Sequence, residues 1–218
     1  MPDHPLPTDA PTECLNLAAL AATPLAHVPF DHLVVPGFLS PEIARKARLA
    51  FPEIQAGGLI PAGPGGGGDL GRIVVALRSS VASRAFGDKF GVALDPSTLM
   101  ITLRGHCRAT DGGIHADSKS KLITCLLYLN DGWTAEGGRL RLLRGPTDME
   151  DMAAEIPPLD GMLVAFRRTD RSFHGHKPFE GVRRAIMFNW MVDAAAARRE
   201  ELRHGFSQGF KRIAALLG

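Results

Sequence analysis

The stretch "GGIHADSKSKLITCLLYLNDGW" carries a histidine and an aspartate one residue apart, His115 and Asp117. On an extended segment residues i and i+2 project to the same face, so an imidazole and a carboxylate would lie side by side and could grip one cation. Such a pair is common by chance, and it gains meaning only if a third ligand arrives from a later strand. Two histidines and one carboxylate on one face of a metal leave the opposite positions open. That donor set suits Fe(II), with room for a co-substrate and O2. The third ligand is expected from "RSFHGHKPFEGVRRAIMFNW", residues 171–190, which holds His174 and His176. These two share parity, so spacing alone does not choose between them. The same stretch carries Arg183 and Arg184, whose planar forks match a carboxylate and stay charged at any relevant pH. Alternation puts Arg183, Ala185 and Met187 on one face.

Elements must hold these residues together. The chain has 218 residues, 45% apolar and 22% charged, enough for one domain with a sizeable core. A net charge of +2 gives no support to nucleic-acid or membrane binding. Cys14, Cys107 and Cys125 form no disulfide framework, the first residues lack a signal-peptide pattern, and no apolar run could span a membrane. A soluble cytoplasmic protein is expected. Residues 1–26, rich in Pro, Ala and Thr, read as a loose segment. "HVPFDHLVVPGFLS" reads as a short strand, and Ser40-Pro41 opens a helix over "PEIARKARLAFPEI" that Pro52 ends. Residues 57–71 hold eight glycines and read equally as a lid or as a surface connection. "RIVVALRSSVASRAFGDKFG" has helical spacing at Val74, Leu77, Val81 and Ala85. From about residue 98 the period becomes two, through "TLMITLR", "KLITCLLYL", "GRLRLL", "GMLVAF" and "RRAIMFNWMV". Helices followed by strands give an α+β class: a sandwich or barrel supported by N-terminal helices. The end reads as a helix with a stripe of Phe206, Phe210, Ile213, Leu216 and Leu217. It is expected to pack on the domain, with a dimer contact as its alternative use.

The succession "HAD…TCLLYLNDGW…GGRLRLL…GMLVAF…FHGHKPFEGVRRAI" resembles the 2-oxoglutarate- and Fe(II)-dependent dioxygenases of the prolyl hydroxylase type, over roughly residues 98–192. The resemblance implies a double-stranded β-helix, a jelly-roll or cupin-like core, within a single domain over residues 27–218. It implies His115, Asp117 and His174 as metal ligands. Pro178, four residues after His174, matches the family pattern and favours His174 over His176. It implies Arg183 as the partner of the far carboxylate of 2-oxoglutarate, with Arg184 as the alternative, and Tyr128 as a second contact to that carboxylate. The cofactors implied are Fe(II), 2-oxoglutarate and O2, with ascorbate as an accessory reductant. The reaction implied is hydroxylation of a prolyl residue or a small molecule, yielding succinate and CO2. Some relatives carry a further tyrosine ten to twelve residues before the first His; here Leu103, Arg104 or Gly105 stands there. His106 and His176 have no assigned role. Arg104, Arg108, Arg167, Arg168 and Arg171 read as a solvated face or as a basic rim. The competing reading is a catalytically silent cupin-like domain that binds a metal, a ligand or a partner.

Overall fold

The computed structural model describes residues 12–54, 60–62 and 67–200. The chain builds two sheets, most of whose strands come from its second half. Strands β1 (His32–Val35), β2 (Ile60–Pro61), β3 (Leu99–Cys107), β4 (Lys121–Tyr128), β7 (Leu163–Arg167) and β9 (Gly181–Met191) form the larger one, in the order β1-β7-β4-β9-β3-β2. Strands β5 (Leu140–Leu143), β6 (Met152–Ile156) and β8 (His174–Gly175) form the smaller one, in the order β6-β5-β8. A single bridge between His115 and His174 attaches one more extended segment beside β8.

The central strands read as nearly unbroken apolar runs because both faces of the larger sheet are covered. On β4, Ile123, Cys125 and Leu127 face the helices, while Leu126 and Tyr128 face the smaller sheet. On β9, Ile186, Phe188 and Trp190 face the helices and Ala185 faces inward. The inner space between the sheets is completed by Leu140, Leu142, Ile156, Val164 and Phe166.

The outer face packs on α1 (Leu17–Ala22), α2 (Pro41–Leu49), α3 (Gly68–Leu77) and α4 (Ser80–Phe90). Phe86 of α4 meets the Phe188 and Trp190 rings at 5.6 and 5.0 Å, and the Trp190 indole N–H donates to Ser83 Oγ at 3.2 Å. Ser40 caps α2 as its sequence predicts, accepting from Ile43 N at 3.3 Å.

Four expectations need correction. Residues 12–26 are not loose: Leu20 is fully buried, and the Asn16 N–H bonds Phe38 O. The helical spacing of residues 72–91 belongs to two helices, because Ser79 ends one turn through Ala76 O and caps the next through Ala82 N. Part of the glycine-rich stretch is ordered structure, since Ile60–Pro61 pairs with β3 and Gly68–Gly71 open α3. Helix α2 stops at Leu49, before Pro52 is reached. Residues 194–200 are helical, with Ala196 and Ala197 packed against Met100 and Met191. The apolar stripe expected from Phe206 onward lies outside the described residues.

Candidate metal and co-substrate site

His115, Asp117 and His174 each offer one ligand atom, and these atoms all lie within 4.8 Å of one another. Two different parts of the chain supply them. The 112–117 segment runs beside β8, with paired hydrogen bonds of 3.0 Å between the His115 and His174 backbones. This close approach needs glycines. A Cβ on Gly175 would stand 2.7 Å from Gly112 O, and Gly112, at φ +90°, lies against the His176 ring with no space for a side chain.

Both histidines are oriented for a metal. His115 Nδ1 faces Gly113 O at 2.9 Å and His174 Nδ1 faces Ser172 O at 3.0 Å. A carbonyl only accepts, so each Nδ1 carries a proton, and in the neutral ring it is Nε2 whose lone pair is left for a cation. Burial holds His174 unprotonated, with a pKa of about 4, although Asp117 pulls the other way. Burial also opposes ionisation of Asp117, but the Lys121 ammonium and the hydrogen bonds from Lys121 and Thr124 prevail and set its pKa at about 2. Lys121 Nζ reaches Asp117 Oδ1 at 2.8 Å and Thr124 Oγ1 donates to Oδ2 at 2.6 Å. Each carboxylate oxygen has two lone pairs, so these bonds fix the group and leave an acceptor direction free. Neutral imidazole nitrogens with a charged carboxylate are the donor set that a ferrous ion takes, and the residues present fit one.

Thr124 and Lys121 were not singled out from sequence. A signal existed: Thr124 is a polar residue at the inward parity of an apolar strand, two residues before Leu126 and four before Tyr128. Asn189 is a similar case. It pairs with Thr124 across β4 and β9, is 1% exposed, and its Oδ1 has no hydrogen-bond partner.

Deeper between the sheets, Arg183 and Tyr128 come together. Arg183 is 2% exposed; its Nε donates to Gly138 O at 2.7 Å and its Nη2 to the Tyr128 hydroxyl oxygen at 3.1 Å. Among the described residues it has no carboxylate partner. Tyr128 receives that bond, so its own O–H remains available to an acceptor, and burial pushes its pKa up and keeps it protonated. Arg184 points to the other face of β9, and its backbone, not its side chain, is held, by Asn130. His176 is buried but stands outside the metal-ligating group.

Arg168 Nε bonds Asp117 O at 3.0 Å, which brings the turn before His174 beside the ligands. There a cavity of about 640 Å³ is lined by Pro29, Phe30, Asp31, Arg144, Thr169, Asp170 and Arg171. Two rings stand between it and the ligands: Phe30 packs on Phe166 at 5.6 Å, and Phe166 packs on His174 at 4.7 Å.

Residues 103–192 match the 2OG-Fe(II) oxygenase superfamily. A search of curated proteins finds no match. Among solved structures, a Pseudomonas putida prolyl-4-hydroxylase superposes with a TM-score of 0.58 at 17% identity, over 81% of this chain and 97% of that one. A Burkholderia pseudomallei oxidoreductase of the 2OG-Fe(II) oxygenase family gives 0.53 at 16%, over 82% and 91%. A viral collagen prolyl hydroxylase from Paramecium Bursaria Chlorella virus-1 gives 0.51 at 15%, over 77% and 94%. The fold is therefore the double-stranded β-helix that the resemblance implied, within the α+β class read from the order of helices and strands.

Proposed function

We propose, from the premise that residues 103–192 form a 2OG-Fe(II) oxygenase domain, that His115, Asp117 and His174 hold its ferrous ion and that Arg183 and Tyr128 hold its 2-oxoglutarate. The convergence of three ligand atoms from two separate segments within 4.8 Å carries this assignment. Bound there, iron with 2-oxoglutarate and O2 supplies hydroxylation of a C–H bond, with release of succinate and CO2.

The protein's share of the work is positional. Gly113 O and Ser172 O orient the two imidazoles, and Thr124 and Lys121 hold the Asp117 carboxylate. Arg183 meets the far carboxylate of the co-substrate with a guanidinium that is otherwise without an anion, and Tyr128 adds its free hydroxyl hydrogen. Leu126, Leu140, Leu142 and Val164 keep this inner space dry, which strengthens each of those charged contacts.

The substrate is a prolyl residue of a peptide or a small molecule. One dioxygenase domain over residues 27–218 is proposed, with residues 12–26 packed onto it. Cytoplasmic location is supported by three unpaired, buried cysteines. Among the described residues no helix is long and apolar enough to cross a membrane. Incubation with Fe(II), 2-oxoglutarate and O2 tests the assignment. Succinate should form in the wild type and disappear in Asp117→Ala; succinate formation that survives that substitution would remove the ligand assignment.

A further inference from the structure

Arg104 stands opposite Ala185 across β3 and β9, and Ala185 stands opposite Tyr128 across β9 and β4. Cross-strand partners share a face. Ala185 and Tyr128 belong to the inner cluster, whereas Ile101 and Leu103 pack toward the helices. Arg104 thus leaves β3 on the inner face, with only a small alanine between its strand position and that of Tyr128.

Its surroundings contain unpaired polarity and no matching anion. Arg104 Nη1 donates to the buried Cys107 sulfur at 3.7 Å, and its Nε is buried without a hydrogen-bond partner. Among the described residues no carboxylate lies within ion-pair distance of Arg104 or Arg183. The carboxylate that senses Arg104 is Asp111, which is taken up by the Arg108 backbone N–H at 3.0 Å and guanidinium at 3.3 Å. Arg104 and Arg183 both act on the Tyr128 hydroxyl and on the His176 ring, whose Nε2 is likewise buried and unpartnered. Two guanidiniums beside one dry space are costly unless a ligand brings the negative charge.

We propose that Arg104 is a second cationic anchor for the far carboxylate of 2-oxoglutarate, acting from β3 while Arg183 acts from β9. This rests on the reading of the Arg183–Tyr128 pocket given above. Arg104 occupies one of the positions where the sequence departs from the tyrosine of some relatives, and a charged fork there gives the pocket a stronger demand for a dianionic keto acid. Arg104 is a binding residue, with no part in holding the metal.

The test is calorimetric titration of the full chain, first with Mn(II) and then, metal-loaded, with 2-oxoglutarate. Arg104→Met keeps the apolar stem, Arg104→Lys keeps the charge, and Arg183→Met checks the pocket itself. Arg104→Met should weaken 2-oxoglutarate binding about tenfold or more, the loss expected for one charge-assisted contact. Mn(II) affinity should stay at the wild-type value, and Arg104→Lys should recover part of the loss. Unchanged 2-oxoglutarate affinity in Arg104→Met overturns the proposal, and so does a parallel loss of Mn(II) affinity, which would show a structural role. Should the wild type itself fail to bind 2-oxoglutarate, or Arg183→Met bind it normally, the pocket assignment fails and Arg104 falls with it.

Discussion

Each proposed metal ligand is held by a neighbour whose removal can be read separately from removal of the ligand. His115→Ala or Asp117→Ala should abolish Mn(II) binding in calorimetry; His115 is exposed, so its variant should keep the wild-type circular dichroism, and Asp117→Asn keeps the volume of the buried, Lys121-paired side chain as a control for folding. Thr124→Val removes a 2.6 Å hydrogen bond to Asp117 without touching the metal. Its metal affinity should fall about 10–100-fold, the usual effect of losing a ligand's supporting partner. Protonation adds a third handle. His174 and His176 both have pKa values of about 4, burial being the main cause, below the ordinary 6.5. The unfolded chain therefore binds more protons than the folded one between these values, so stability is full above about pH 6.5 and falls as pH drops toward 4. Thermal melts of the metal-free protein at pH 7.5 and 4.5 should show this fall; equal melting temperatures would contradict it. The proposed ligand set and Arg183 could be named from the sequence only through the family resemblance, since spacing alone left His174 and His176 open; the structure brings His115, Asp117 and His174 within 4.8 Å of one another. Lys121 and Thr124 could not be named, because they act by reaching across a turn and along a strand toward Asp117, and no sequence pattern marks such a reach.

The elements that bring the ligands together rest on small residues and single caps. Gly112→Ala would place a methyl group against the His176 ring at a φ of +90°. It should push the 112–117 segment off β8, and lower both melting temperature and Mn(II) affinity, whereas Gly113→Ala, where a Cβ meets nothing within 4 Å, should bind metal normally. Ser79→Ala, at the joint between α3 and α4, should cost about 1 kcal/mol in urea unfolding, as the loss of a helix cap does. Strands β3, β4, β7 and β9 were readable because apolar runs rich in β-branched or aromatic residues, bounded by turn residues, mark them. Strand β8 has two residues and β6 reads "MAAEI", so neither shows a period. Their pairing is set by tertiary contacts with β5. The break at Ser79 was missed because apolar spacing continues across it, and only the serine hydroxyl distinguishes a joint from a continuous helix.

The two larger cores of the described molecule have different surroundings. One lies between the helices and the larger sheet, around Phe86, Phe188 and Trp190, and it contains none of the ligands. Phe86→Ala should cost about 3–5 kcal/mol of stability there and leave 2-oxoglutarate affinity unchanged in protein that remains folded. The other core lies between the two sheets and lines the proposed reaction space, so its substitutions should alter binding first. The central claim is that this inner space is a ferrous, 2-oxoglutarate-binding centre. The measurement that tests it most directly is an anaerobic titration of the metal-free chain with Fe(II) and 2-oxoglutarate, followed by O2 and assay of succinate, in wild type and Asp117→Ala side by side. One ferrous ion per chain, tightened by 2-oxoglutarate, and succinate from the wild type alone are expected. A wild-type chain that takes up no Fe(II), or equal succinate from both proteins, would contradict the account.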